Sequence, residues 1–257
     1  MGAWTINLFP IRIIPMTIDR LYSNGPLNED FQFNERVADV FDDMVSRSVP
    51  FYKTVIETTA GLIRHFAAPG STVYDLGCST GTTLLTLSTL LADLDLQFIG
   101  LDNAPAMIRK ARNKASMFRK DDIIEFRRQD ITDLKLERAD VIICNYTLQF
   151  IRPMLRQNFT SSLYSSLAED GILIISEKVI SEHHAINRRF SNLYHEFKLK
   201  QGYSELEISA KREALENVLI PFTVQENFDL LHTAGFRSVE SFFRWINFIS
   251  IIAHKNV

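Results

Sequence analysis

The chain has 257 residues, with 28 Lys plus Arg against 31 Asp plus Glu, a formal net charge of −3, and 46% hydrophobic residues. That composition gives a globular protein with a sizeable core, of the length of one large α/β domain, and excludes both a disordered chain and the basic balance of a domain that grips nucleic acid through its phosphates. The two cysteines, Cys78 and Cys144, are too few for a disulfide framework or a cysteine metal cluster, so the expected setting is reduced and cytoplasmic.

The longest apolar stretches, such as 141–144 and 248–253, fall far short of the roughly 18 residues of a membrane helix, so no membrane association is expected. The opening MGAWTINLFPIRIIPM lacks the early positive charge of a signal peptide and is interrupted by Pro10, Arg12 and Pro15, while Ile6 stands where a myristoylation signal wants Ser or Thr. Residues 1–32 are expected to be a partly disordered leader, with Met16 an alternative start, ahead of one domain over 33–257.

From Asn34 the pattern NERVADVFDDMVSRSV predicts an amphipathic helix, and a second runs from about Phe51 to Phe66. TVYDLGCSTGTT is a β-branched strand entering a turn of small residues, and TLLTLSTLLADL is the helix after it. Strand LQFIGLD, helix PAMIRKARNKASMF, strands IIEFRRQD and ADVIICNYTL, helix MLRQNFTSSLYSSL and strand GILIISEKV come next. Such alternation predicts a mostly parallel sheet covered on both faces. An extra helical segment, about 182–217, precedes NFDLLHTAG, and FRSVESFFRW with INFISIIAHK closes the chain as an antiparallel pair.

The central motif is DLGCSTG, which places Asp75, Gly77, Ser79 and Gly81 at alternate positions after the first sheet strand. It fails the spacing of a dinucleotide turn and lacks the Gly-Lys-Ser/Thr ending of a phosphate loop. G-C-S-T-G formally matches a nucleophile elbow, yet helices rather than strands precede it, no Gly-rich oxyanion segment exists, and nothing marks His232 or His254 as a triad base. The best fit is the turn of class I S-adenosylmethionine (SAM) enzymes, in which backbone at Gly77 and Ser79 approaches the methionine part and Asp75 orients the turn or the amino group.

Asp102 ends the second strand, where a carboxylate can accept both ribose hydroxyls; its bland alternative is a cap on the helix beginning near Pro105. Asp130, after the third strand, fits an acceptor for the adenine amino group with Ile131 beside the ring, or is a turn acid. Asn145, at the carboxyl edge of the fourth strand, is a ligand contact or a buried turn residue.

The segments NERVADVF, RSVPFY, VYDLGCS, LDNAPAMI, NYTLQF, ISEK, HEFKLKQGYSELEIS and KREALENV together resemble the carboxy-S-adenosyl-L-methionine synthase family from about Phe33 to the C-terminus. The string GYSELEISAKREALENV is far more specific than the glycine turn, while the leader and 20–32 diverge. The resemblance implies a class I methyltransferase-like, Rossmann-like fold with a seven-stranded, mostly parallel sheet. It also implies conversion of SAM and prephenate to carboxy-SAM and phenylpyruvate, a homodimer, and delivery of the product to a tRNA carboxymethyltransferase acting on wobble uridine. The ligand residues it implies are Tyr52, Gly77, Cys78, Ser79, Asp102, Asn103, Asp130, Ile131, Asn145 and Arg212.

Arg212 is expected to hold the added carboxylate with its planar two-donor fork, presented by the neighbouring subunit, whereas Lys211 is expected on a solvated helix face. The basic run Arg109, Lys110, Arg112, Lys114, Arg119 and Lys120 reads as a solvated face or, failing that, a tRNA contact. His183 and His184 point to different sides of a helix and His195 is too distant for joint ligation, so no metal is assigned. Two rivals remain: a conventional SAM-dependent methyltransferase acting on tRNA or a small molecule, and a catalytically silent SAM-binding scaffold.

Overall fold

The computed structural model describes residues 17–27, 31–133 and 136–256. Asn34 caps α1 (Glu35–Ser48) by accepting the amide of Val37, and Phe51, in left-handed conformation, turns the chain into α2 (Tyr52–Phe66). β1 (Thr72–Leu76), α3 (Thr82–Leu90), β2 (Gln97–Asp102), α4 (Pro105–Met117), β3 (Ile124–Arg128), β4 (Ala139–Asn145) and α5 (Pro153–Ser166) come in the order that the sequence pattern requires. Pro105 and Pro153 sit in the first turns of their helices, where a missing N–H costs nothing.

β5 (Leu167–Ile180) starts before the expected Gly171, and its pairing with β4 shifts register between Ala139 and Val141. The segment 182–217 forms two helices, α6 (His184–Lys200) and α7 (Glu205–Ala214), parted by a turn in which Gly202 has φ +87°. A capping box of Ser204 and Glu207 starts α7, so the string GYSELE is a helix stop and then a helix start. The chain finishes with β6 (Phe222–Thr223), α8 (Val224–Ala234), β7 (Ser238–Trp245) and β8 (Phe248–His254).

Seven strands lie in the order β3-β2-β1-β4-β5-β8-β7, and the two-residue β6 pairs with β5 outside that path. β8 runs antiparallel to both of its neighbours, and the other pairings are parallel. β4 is central and buried on both faces, which is why it reads as a continuous apolar run. Ile142 and Cys144 face a core shared with α5 and α8, whereas Val141 and Ile143 face one built from α2, α3 and α4. Strand order reverses between β1 and β4, so a crevice opens at their carboxyl ends.

Of the expected leader, residues 17–27 pack on the domain: Asp19 and Tyr22 are buried, and the Asp19 backbone amide donates to Asp43 of α1. Residues 1–16, with the alternative start at Met16, lie outside the described residues.

Candidate active site

The turn after β1 is pinned from below. The amides of Gly77 and Cys78 both donate to the Leu101 carbonyl, at 2.8 and 3.0 Å, and draw the turn onto β2. Gly77 has φ +76°, and a Cβ there would overlap the Thr147 side chain, so backbone alone faces the crevice. Ser79 also takes a positive φ and donates its amide to Asp102 Oδ2 at 2.9 Å, while Asp102 Oδ1 accepts the amide of Ala104 at 2.8 Å. Asp102 thus joins the turn to the entrance of α4, as the capping alternative requires. Each of its oxygens can still accept a second hydrogen bond on the crevice side. Burial raises its pKa, and the two amides oppose that rise.

Asp75 lies near the end of β1 and is buried. Burial and then the charge of Asp102 push its pKa up to about 7. A cation arriving in this crevice would therefore meet Asp75, whose ionised form desolvation disfavours, beside the Asp102 carboxyl. Cys78 is buried with its thiol pushed up by the same burial, so it is a packing residue and no nucleophile.

At the end of β4, both polar atoms of the Asn145 side chain are buried without a hydrogen-bond partner. A buried amide left unpaired costs about 1–3 kcal/mol, an arrangement retained where a ligand completes the pairing. The chain then turns sharply: Tyr146 has φ 57° and its amide donates to the Ser176 carbonyl at 2.6 Å. Two buried ionisable side chains hold the segment from Leu148 to Ile151. Glu177 accepts the amides of Leu148 and Gln149, and Arg156 donates to the carbonyls of Gln149, Ile151 and Ile220. Burial pushes Glu177 up to about 8, with Arg156 opposing. NYTLQF and ISEK are thus two sides of one clamp that aims Asn145.

Tyr52 opens α2, with its hydroxyl 3.4 Å from Thr83 Oγ1 and its ring 6.2 Å from that of Tyr146. Burial raises its phenol. Asn103 is exposed beside Asp102. Asp130, also exposed, accepts the amide and hydroxyl of Thr132 on one oxygen, the bland turn role, and the half-buried Ile131 packs on the core. Among the sequence-derived candidates, Tyr52, Asp75, Gly77, Cys78, Ser79, Asp102 and Asn145 converge on the crevice, with Asn103, Asp130 and Ile131 next to Asp102 along its β2–β3 side.

The other wall comes from α6 and α7, and here the expectation for Lys211 is corrected. Its side chain is only 13% exposed, lies 3.6 Å from the buried Asp19 carboxylate and donates to Ser48 Oγ at 3.2 Å. The reason is the folded segment 17–27, whose Asp19 also accepts from Tyr203, so the second half of GYSELEISAK turns inward to meet it. Burial brings the Lys211 ammonium down to about 8 despite Asp19. Arg212, one residue on, is exposed. Burial lowers the ammonium pKa values of Lys178 near the end of β5 and of Lys198 in α6, and the charge of Arg212 adds to both. Lys178, Lys198, Tyr146 and Tyr194 were not legible as residues of this wall: the sequence signals were NYTLQF, ISEK and HEFK, and nothing local says that β5 and α6 meet.

The basic run on α4 is largely consumed within the fold. Arg109 pairs with Glu35, Lys110 with Asp39 at 3.2 Å and Lys114 with Asp42 at 2.9 Å, while Arg112 donates to the Phe126 carbonyl. Arg109 remains well exposed, but Lys114 is buried, so the solvated-face expectation fails there. Asp42 also accepts from Thr80 and Thr82, at 2.6 and 2.7 Å, which ties α1 to the far side of the glycine turn. Among the described residues no group of His, Cys, Asp and Glu is placed to hold a metal ion, and no helix is long and apolar enough to cross a membrane.

A family model for a methyltransferase domain matches residues 67–233. Carboxy-S-adenosyl-L-methionine synthase from Desulfotalea psychrophila is 50% identical over 237 residues, covering 92% of this chain and 97% of that one. The synthase of the same name from Methylococcus capsulatus is 42% identical over 93% of this chain and all of the other. The chain belongs to the carboxy-S-adenosyl-L-methionine synthase family. Solved structures agree on the class I methyltransferase fold. An O-methyltransferase family protein from Burkholderia thailandensis gives a TM-score of 0.65 at 17% identity over 89% of this chain and 64% of its own. Human N-acetylserotonin methyltransferase in complex with SAM gives 0.59 at 18%, over 87% and 56%. Within this family, the Gly77 cradle and the unpaired Asn145 amide are the two features that fit a nucleoside ligand carrying an amino acid.

Proposed function

We propose that the protein converts SAM and prephenate to carboxy-SAM, phenylpyruvate and water. The observation that carries this reading is the near full-length identity to synthases of that name. The site chemistry supports it. Gly77 and Ser79 offer backbone to the methionine part, Asp75 takes its ammonium, Asp102 with Asn103 takes the ribose, Asp130 and Ile131 take the adenine, and Asn145 and Tyr52 close the crevice. A simple methyl donor site has no need of cations near the methyl group, whereas the product carries a carboxylate there. Arg212 supplies the planar fork for it.

On this reading the protein works in the cytoplasm as a homodimer and passes carboxy-SAM to a tRNA carboxymethyltransferase for wobble-uridine modification, without binding nucleic acid or membrane itself. Support for pairing comes from α6, none of whose 17 residues is buried and which leaves Ile186 and Leu193 more than 40% exposed. The test is to incubate the protein with SAM and prephenate and to quantify phenylpyruvate and carboxy-SAM together by mass spectrometry. Equal amounts of the two are expected. Neither product, together with methyl transfer from SAM to tRNA, would give the conventional methyltransferase instead.

A further inference from the structure

A continuous run of rings crosses the mouth of the crevice. Tyr52 stands 6.2 Å from Tyr146, Tyr146 stands 6.2 Å from Phe248, and Phe248 meets Tyr194 edge-on at 5.2 Å. Trp245 continues it, 6.4 Å from Phe248 and 5.3 Å from Phe197. The far end carries charge. The ammonium groups of Lys178 and Lys198 lie 5.1 and 4.7 Å from the centroid of the single Tyr194 ring. No carboxylate pairs with either lysine among the described residues, whereas Lys110, Lys114 and Lys211 each have one.

Two ammonium groups with Arg212 nearby and no counter-ion repel one another. Lys178 and Lys198 are both half-buried, and the burial removes the water that would screen them. Burial, and then Lys178, Lys211 and Arg212, bring the Lys198 ammonium down to about 7. An anion bound beside them would relieve that repulsion, and the adjoining rings would accept an apolar ring attached to it. The placement is two residues beyond Ser176, which is the partner of Asn145 in the β4–β5 register. The cations therefore flank the crevice rather than a remote surface.

We propose that Lys178 and Lys198 bind the carboxylate that the second substrate retains after losing CO₂, with its ring against Tyr146, Phe248 and Tyr194. Arg212 is then left for the carboxyl group that is transferred. This rests on the reaction proposed above, in which prephenate brings two carboxylates and one survives on phenylpyruvate.

The experiment uses the full chain and three variants, Lys198→Gln, Lys198→Arg and Lys178→Met. Steady-state kinetics should show the prephenate KM of Lys198→Gln raised about tenfold, the worth of one charged hydrogen bond, with SAM affinity within about twofold of the parent. Lys198→Arg should recover most of it, and Lys178→Met should behave like the Gln variant. A role in folding alone would instead weaken SAM binding and kcat without a selective rise in the prephenate KM, and that result overturns the proposal. A second arm does not depend on turnover: calorimetry of phenylpyruvate binding to the SAM-loaded protein should lose about tenfold in Lys198→Gln. Equal binding in parent and variant, or no binding to the parent, overturns the assignment of the lysines. Failure of the parent to form carboxy-SAM from prephenate overturns the reaction and leaves the phenylpyruvate arm to decide the lysines.

Discussion

Asp75 binds a proton in the folded chain that an ordinary carboxylate has already released, because its pKa is pushed up to about 7 by burial and by Asp102. Between the ordinary carboxylate range and about 7 the folded state therefore holds more protons than the unfolded one, so this group makes stability fall as pH rises through that window. A ligand ammonium beside Asp75 would favour the ionised form, so SAM binding should expel a proton. SAM affinity is expected to drop about tenfold per pH unit below about 7, and calorimetry in buffers of different ionisation heat should show the released proton. In Asp75→Asn both effects should vanish while the ligand-free protein gains stability at about pH 8; a SAM affinity in the parent that does not change below pH 7 would place the ammonium elsewhere. Asp102 is tested differently, since its two oxygens already hold Ser79 and Ala104. Asp102→Asn should lose about 2–4 kcal/mol of SAM binding and, by leaving one amide unpaired, about 1–3 kcal/mol of folding stability in urea titrations. Unchanged SAM affinity would remove Asp102 from the site.

At the scale of elements, the alternation of strands and helices was legible because the apolar period switches cleanly between them, and DLGCSTG with LDN marked the turn at the strand ends because Gly77, at positive φ against Thr147, has no room for a side chain. What escaped the sequence was the meeting of distant faces. α1 offers Glu35, Asp39 and Asp42, and α4 offers Arg109, Lys110 and Lys114. Each row looks like an ordinary solvated helix face until the two helices are laid together. The same holds for Lys211, which looked solvated because Asp19 is 192 positions away in a stretch read as a leader. The clamp of Asp42 on Thr80, Thr82 and Lys114 makes α1 a support of the glycine turn. Burial alone would raise the Asp42 pKa, but Lys114 and the two threonines outweigh it and hold the carboxyl below its ordinary value. Asp42→Ala leaves Lys114 buried without its partner, so a loss of about 3–5 kcal/mol in chemical denaturation is expected, with SAM binding weakened as the turn loosens. Asp42→Ala combined with Lys114→Met should recover part of the stability. A single variant as stable as the parent would show that the pair is solvated.

For the whole molecule the telling feature is α6, whose apolar side chains the rest of the chain leaves partly uncovered. Tyr194 and Phe197, which share a helical face with Leu193 in the sequence, pack on Phe248 and Trp245 of their own subunit and are spent there. Ile186, Leu193 and Leu199 of α6 and Leu206 of α7 stay exposed, and a second copy related by a two-fold axis would cover them. Light scattering at micromolar concentration should give twice the chain mass, and Leu193→Glu should halve it; a monomer mass for the parent removes the pairing. If pairing also presents Arg212 to the neighbouring site, two inactive variants should rescue one another. In a mixed dimer of Asp102→Asn and Arg212→Ala, the Arg212→Ala subunit keeps its own Asp102 and receives an intact Arg212 from its partner. Random mixing makes about half of the dimers mixed, each with one complete site of two, so about a quarter of the parental carboxy-SAM formation should return. Should Arg212 serve its own subunit instead, the mixed dimer has no complete site and activity stays at the level of the separate variants.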